Sequence, residues 1–92
     1  MDWDRREVAE QFGRNLKRAR RRAGLSQEKA AVRASLHRTE ISLLERGGRM
    51  PRLDTIIKVA SAVEGTPADL LKGITWWPGV EARPGSFGLH DR

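Results

Sequence analysis

The stretch from Gly24 to Gly47, GLSQEKAAVRASLHRTEISLLERG, constrains the fold of this chain more than any other. Its first half predicts a short helix that begins after Ser26, because a serine side chain can accept a hydrogen bond from an otherwise unpaired N–H group of the first turn. Its second half predicts another short helix that begins near His37 and ends at the glycine pair 47–48, since glycine readily adopts the positive φ that closes a helix. Apolar residues recur at helical spacing in both halves: Ala30, Ala31 and Ala34 in the first, Ile41 and Leu44 in the second.

Two short helices joined by a tight turn form a helix-turn-helix, a unit whose second helix enters the major groove of DNA. The charge of the chain agrees with that interpretation. It has 18 Lys and Arg against 12 Asp and Glu, a formal net charge of +6, which favours a polyanionic partner through the release of counterions. The outward stripe of the second helix would carry Arg38, Thr39, Ser42, Leu43 and Arg46.

The chain resembles the phage-repressor helix-turn-helix family, also called Cro/C1-type or XRE, well beyond the motif itself. The similar segments are FGRNLKRARRRAGLSQE from Phe12, then ISLLERG, then PRLDTIIKVASAVEGTPADLL, and together they cover roughly two-thirds of the chain. Both flanks lie in register with the motif, which makes the match far more specific than the motif alone. The residues at positions that the family pattern expects are Gly24, Leu25, Ser26, Gln27, Ala31, Ala34, Ile41, Ser42, Glu45, Gly47 and Pro51.

The resemblance implies an all-α fold, a five-helix lambda-repressor-like DNA-binding domain over residues 1–72. It implies a sequence-specific transcriptional regulator of double-stranded DNA, a homodimeric repressor or autoregulator on a pseudo-palindromic operator. Base contacts then fall to the start and outer face of helix three. The residues expected to contact DNA are Gln27, Arg38, Thr39, Glu40, Ser42, Leu43, Arg46 and Arg49.

The base-contacting candidates differ in chemistry. Arg38 can present its planar fork to O6 and N7 of guanine, whereas Thr39 can donate, accept or touch a thymine methyl. Leu43 offers that methyl only an apolar contact. Glu40 would be repelled by phosphate unless a cytosine N4 amino group or Arg38 holds it. We therefore expect Glu40 to weaken binding to unsuitable sequences rather than to strengthen binding to the preferred one.

Other residues are expected to hold the phosphate backbone or the recognition helix. Arg46 and Arg49 could clamp phosphates on either side of the groove. In the family, Gln27 bonds a phosphate at the start of helix two; the alternative is an ordinary exposed residue. The resemblance also implies a partly buried ion pair between Arg20 and Glu45, which would have a structural role, the alternative being a weak exposed pair.

The chain departs from the family pattern at three positions. Ser35 lies where the turn commonly carries glycine, and serine adopts a left-handed backbone less readily. Ala30 occupies a place usually held by leucine, and His37 replaces the usual Ser or Thr cap. We therefore expect a slightly strained or reshaped turn.

The flanking helices are predicted from caps and periodicity. Helix one is expected to start near Asp2 or Asp4, with Glu7 placed for a capping box. Helix four is expected to run from about Arg52 to Val63, and a short fifth helix to start after Thr66. The residues that helix four is expected to bury are Leu53, Ile56, Ile57, Ala60 and Val63.

The tail over residues 73–92 has two β-prone runs, 74–77 and 86–89, separated by a bend rich in Pro and Gly. A β-hairpin is possible there, and because an isolated hairpin is marginally stable, its apolar side chains would need a partner surface. We expect this tail to pair the subunits of a dimer. The alternative is a tail that folds back on its own domain or is partly disordered. The candidate dimer contacts are Trp76, Trp77 and Phe87.

Composition argues against several other functions. There is no cysteine and only two histidines, and no clustered acid pair, phosphate-cradling loop or metal-ligand spacing, so we expect neither an enzyme nor a cofactor or metal site. No apolar run approaches the length of a membrane span, and the charged start does not read as a signal peptide. These observations predict a cytoplasmic protein without a membrane partner.

Three binding functions remain alternatives at this point. An antitoxin or a restriction-modification controller would use the same DNA face, and a toxin partner would meet the tail that carries the tryptophans. A sequence-neutral basic binder would show a strong salt dependence but little preference among duplexes. RNA is disfavoured because only 5% of the residues are aromatic and none is tyrosine.

Overall fold

The computed structural model describes residues 2–90 and contains, within that range, five helices followed by a two-stranded antiparallel hairpin. This architecture confirms the predicted all-α domain with a hairpin extension. The elements are α1 (Arg5–Arg22), α2 (Gln27–Ala34), α3 (Arg38–Glu45), α4 (Leu53–Ala62), α5 (Pro67–Leu70), β1 (Ile74–Trp77) and β2 (Ser86–Leu89).

Polar side chains cap the helix starts where the sequence predicts them. At α1 the Glu7 N–H donates to Asp4 and the Asp4 N–H donates to Glu7, which completes a capping box. Ser26 accepts from the third residue of α2 at 3.0 Å. At α5 the hydrogen bonds from Thr66, first from its backbone N–H, lower the pKa of the Asp69 carboxyl, so this cap forms with the ionised acid.

The core is built from buried residues of all five helices. Alanine dominates the contribution of α2, because a small side chain lets a neighbouring helix approach closely. Ala30 is fully buried there even though the family usually places leucine at this position. The buried apolar residues of the core are Phe12, Leu16, Ala19, Ala30, Ala31, Ala34, Ile41, Leu44, Val59, Ala60, Ala62, Val63 and Leu70.

The predicted buried face of α4 is wrong in two places. Leu53 is 75% exposed and Ile57 is 54% exposed. The helix instead turns Thr55, Val59 and Ala62 inward, toward α2 and α5. Apolar residues surround most of this helix, so their spacing could not decide which side would be covered.

Helices α1 and α3 touch through their backbones at Gly13. A β-carbon at this position would lie 2.6 Å from the carbonyl oxygen of Glu45 and closer still to that of Leu44, which real side chains do not tolerate. A glycine in a helix interior lowers the stability of the helix by about 0.5–1 kcal/mol relative to alanine. Its presence in the middle of α1 therefore indicates close packing, a signal that the sequence interpretation missed.

The hairpin lies against its own domain. The Asn15 side chain of α1 donates to the carbonyl oxygens of Leu70 and Lys72, at 2.8 and 2.9 Å, just before β1. The Trp3 N–H donates to the carbonyl oxygen of Phe87 in β2 at 2.8 Å, which joins the segment before α1 to the sheet. This packing matches the alternative given for the tail, and the division of the chain at residue 72 stays a prediction.

Replacing Gly13 by alanine tests the close approach of α1 and α3. Because alanine is ordinarily the better helix former, a loss of stability would report on the crowding of the α3 carbonyls. We expect the free energy of unfolding in urea to fall by about 1–3 kcal/mol. Arg14→Ala, on the exposed side of the same helix, should change it by less than about 0.5 kcal/mol, and equal stabilities for the two variants would contradict the packing described.

Candidate nucleic-acid interface

A buried ion pair fixes the helix that carries the candidate site. Arg20 of α1 donates through Nε to Glu45 Oε2 at 2.5 Å and through Nη2 to Oε1 at 3.0 Å. The two side chains are only 10% and 3% exposed. The hydrogen bond with Glu45 raises the pKa of Arg20, and it outweighs the lowering by burial, so the guanidinium stays charged. Its remaining Nη1 group donates to the carbonyl oxygen of Leu25 at 2.8 Å.

Gln27 belongs to the same network. Its side-chain nitrogen donates to Glu45 Oε1 at 3.0 Å, so one carboxylate receives hydrogen bonds from both α1 and α2. This contact was not foreseen from the sequence, because the two residues lie 18 positions apart. A phosphate contact by Gln27 stays a prediction.

The turn between α2 and α3 is built on a left-handed serine. Ser35 has φ 57° and ψ 42°, in the position where the family commonly has glycine. The next N–H group, that of Leu36, donates to the carbonyl oxygen of Ala31 at 2.9 Å and closes the end of α2. Serine in this conformation costs roughly 1 kcal/mol, which is the strain that the sequence predicted.

His37 acts as the cap of α3. The Thr39 N–H donates to His37 Nδ1 at 3.2 Å, and the Thr39 hydroxyl oxygen lies 2.9 Å from the same nitrogen. A ring nitrogen therefore does here what a serine or threonine hydroxyl usually does. Part of the hydrogen-bonding capacity of Thr39 is consequently directed back to the helix start rather than to a ligand.

The outer face of α3 is open to solvent. Arg38, Thr39 and Arg46 are exposed at its start and end, while Ser42 and Leu43 between them are half-buried. Leu43 leans over Gly48, where a β-carbon would collide with its Cδ1 atom. The face is therefore a mixture of charged, hydroxyl and apolar groups, the combination that reads base edges in a groove.

Several of the predicted contact residues surround one shallow depression on this face. Glu40 lies 3.7 Å from Arg49, measured between Oε2 and Nη1, so its partner in the protein is Arg49 and not Arg38. Arg38 and Ser42 lie on α3 outside the depression. His37, which we considered only as a cap, also lines it. The lining residues are His37, Thr39, Glu40, Leu43, Arg46 and Arg49.

Other kinds of site are not evident in the described part of the chain. Residues 2–90 include no helix that is both long enough and apolar enough to cross a membrane. The same residues contain no group of three or more His, Cys, Asp or Glu side chains arranged to hold a metal ion.

The family model described as "Helix-turn-helix domain" matches residues 11–72. The chain belongs to the helix-turn-helix domain family. Among curated proteins this helix-turn-helix chain is similar to the control protein C.BamHI of Bacillus amyloliquefaciens, with 44% identity over 61 residues, 65% of this chain and 75% of that protein. It is 36% identical over 59 residues to an uncharacterized HTH-type transcriptional regulator, y4dJ, of Sinorhizobium fredii, which covers 64% of this chain and 77% of that one.

Solved structures show the same likeness. The crystal structure of the restriction-modification controller protein C.AhdI from Aeromonas hydrophila superposes with a TM-score of 0.65 at 37% identity, over 67% of this chain and 94% of that one. The clp gene regulator ClgR from C. glutamicum gives a TM-score of 0.67 at 25% identity, over 70% and 83% of the two chains. These comparisons confirm the predicted Cro/C1-type, DNA-binding transcriptional regulator.

The Arg20–Glu45 pair can be tested by Glu45→Gln, which keeps the side-chain shape but removes the charge. Since Arg20 would stay buried beside a neutral group, we expect the free energy of unfolding to fall by about 3 kcal/mol. Arg52→Ala, which removes an exposed pair with Asp54 at 3.4 Å, should change it by less than about 1 kcal/mol. Similar losses in the two urea titrations would mean that the buried pair is not protected from water.

Proposed function

We propose that this protein is a controller-type transcriptional regulator, a homodimer that binds a pseudo-palindromic duplex through α3 and acts as a repressor or autoregulator. The open, chemically mixed face of α3 is the observation that carries the proposal. The controller role, one of the alternatives raised by the sequence, is supported by the 37% identity with C.AhdI. We propose a binding role rather than a catalytic one, and action in the cytoplasm, where a regulator meets its operator.

The base contacts that we propose come from the first two turns of α3. Arg38 is exposed at the helix start, where its fork can reach the edge of a guanine. Thr39, Ser42 and Leu43 follow along the outer face and would meet bases by hydroxyl or methyl contact. Glu40 would discriminate against bases that cannot donate to it, because an unpaired carboxylate in a groove is strongly disfavoured.

The phosphate contacts that we propose flank these groups. Arg46 at the end of α3 and Arg49 in the loop are both exposed and lie on the rim of the depression. We also propose a phosphate contact at Gln27, the first residue of α2, because backbone N–H groups at a helix start can bind an anion. Such contacts hold the register of the protein on the duplex but carry no sequence information.

We propose that the tail pairs the two subunits. Trp76 is 52% exposed and Trp77 is 44% exposed, and large aromatic surfaces of this kind are typical of interfaces. Phe87 packs edge-to-face on Trp76, with ring centroids 4.9 Å apart, so it would support the contact from below. The exposed Leu53 and Ile57 of α4 form a second apolar surface that could serve instead.

Selection of bound duplexes from a random pool tests the function directly. A two-fold-symmetric regulator should enrich a palindrome whose half-sites are about 34 Å apart. Arg38→Ala should then lower the affinity for the enriched duplex by roughly 10- to 100-fold, the effect of losing one bidentate base contact. Its affinity for scrambled duplex should change little. Lys58→Ala, an exposed change in α4, is the control for fluorescence anisotropy. An equal loss on both duplexes would reduce Arg38 to a phosphate anchor.

The pairing surface can be tested by Trp76→Thr/Trp77→Thr, since threonine keeps the preference for a strand. We expect light scattering to give the mass of a monomer, with weaker binding to the palindrome. Leu53→Ser/Ile57→Ser is the matched variant at the other apolar surface. If that variant dissociates and the tryptophan variant stays dimeric, the assignment of the tail is wrong.

A further inference from the structure

The first two turns of α1 lie beside the loop that follows the recognition helix. The contact is close, because a β-carbon on Gly47 would lie 2.5 Å from Cγ of Glu10. Arg6 lies two turns before Gly13 on the same face of α1, the face that meets α3. Together these elements line one surface depression, formed by Arg5, Arg6, Ala9, Gly47, Gly48, Arg49 and Met50.

This depression adjoins the one on the face of α3. Arg49 lines both, so its side chain is the shared wall between them. The positive groups therefore run from Arg46, at the end of α3, through Arg49 in the loop to Arg5 and Arg6. The two phosphate strands form the walls of a DNA groove. If α3 lies in the groove, the loop that carries Arg49 lies over one strand. Arg5 and Arg6, which lie beyond that loop, would then meet the same strand further along.

Few negative groups oppose these two arginines. No carboxylate of residues 2–90 is recorded within ion-pair distance of Arg5 or Arg6. Asp4 and Glu7 lie nearby, but each is bound to a backbone N–H of the α1 cap. Glu10 lies in the seam against Gly47. Both guanidinium groups are thus free to meet an anion.

The turn that carries the arginines is held in place from both sides. The capping box fixes its first N–H groups, and the bond from Trp3 to Phe87 ties the preceding residue to the hairpin. An anchored cation loses less conformational entropy on binding than one on a free arm. The turn also precedes residue 11, where the match to the family model begins.

We propose that Arg5 and Arg6 form an auxiliary phosphate-contact site, which extends the DNA interface from α3 across the loop to the backbone that flanks each half-site. The inference deepens the proposed function, since it requires that α3 lies in the groove. The site supplies affinity that is independent of base sequence. Its partner is the phosphate backbone of double-stranded DNA.

The test is the salt dependence of binding by Arg5→Gln/Arg6→Gln, measured by anisotropy on the enriched duplex and on a scrambled one. Each lost contact lowers the slope of log K against log salt by about 0.9, so we expect a slope smaller by about 2. Affinity should fall by the same factor on both duplexes, roughly tenfold or more at 0.1 M salt. Arg5→Lys/Arg6→Lys should restore most of the slope, because lysine keeps the charge.

The control removes the same number of positive charges at a surface away from α3. The control variant is Arg22→Gln/Lys72→Gln. Arg22 lies two turns beyond Asn15 on one face of α1, and the Asn15 side chain donates to the Lys72 carbonyl. Both substitutions are therefore located away from α3. An unchanged slope in the Arg5 and Arg6 variant, or an equal fall in the control, would overturn the proposal. A loss confined to the enriched duplex would also overturn it. Failure of the wild type to prefer any duplex would instead refute the proposed function, and the slope on scrambled duplex would still test the site.

Discussion

The position of α3 depends on one buried interaction, the contact of Arg20 with Glu45. The carboxylate can reach the guanidinium because Gly13 lets the backbones of α1 and α3 touch. The same pair also holds Gln27 and the carbonyl of Leu25, so the start of α2 is tied to the end of α3. A charge pair removed from water is stable only when its hydrogen-bonding groups are satisfied, and this network satisfies them within the protein. The angle between the two motif helices is therefore fixed by contacts on the buried side of α3, away from its exposed face.

The front of α3 is set by local chemistry instead. Ser35 adopts a strained, left-handed backbone conformation. His37 caps α3 with a ring nitrogen in place of the usual hydroxyl. Both residues differ from the usual family choice, yet together they let α3 start at Arg38, with His37 as its cap. Because the strain and the cap lie within two turns of the proposed base contacts, changes in this turn would alter the aim of Arg38 more than the stability of the core.

Features encoded within a few residues could be predicted from the residues themselves, whereas contacts between distant residues could be predicted only where the family pattern implied them, as for Arg20 and Glu45. Ser26 and Gly47 mark helix ends by their own backbone chemistry, and the two β-prone runs of the tail became strands at 74–77 and 86–89. The rotation of α4, in contrast, depends on which neighbour covers it, so Leu53 was assigned to the wrong side. The partners of Gln27 and Glu40 depend on distant residues for the same reason. The family pattern supplied the candidate site, but the internal contacts of these side chains came only from the structure.

The distribution of charge suggests how affinity and selectivity are separated. The central part of the α3 face has hydroxyl, apolar and acidic groups, and the arginines stand around it. Glu40 alone would oppose every duplex, but Arg49 offsets its charge at 3.7 Å while the protein is free. In the proposed complex, a phosphate that bound Arg49 would take this partner from Glu40, which would then need a donor on a base, such as the amino group of cytosine. The phosphate contact of Arg49, which any duplex can make, would then leave the Glu40 carboxylate without a partner. Only sequences that offer a hydrogen-bond donor at that position could pair with it, so backbone binding would be coupled to sequence selectivity.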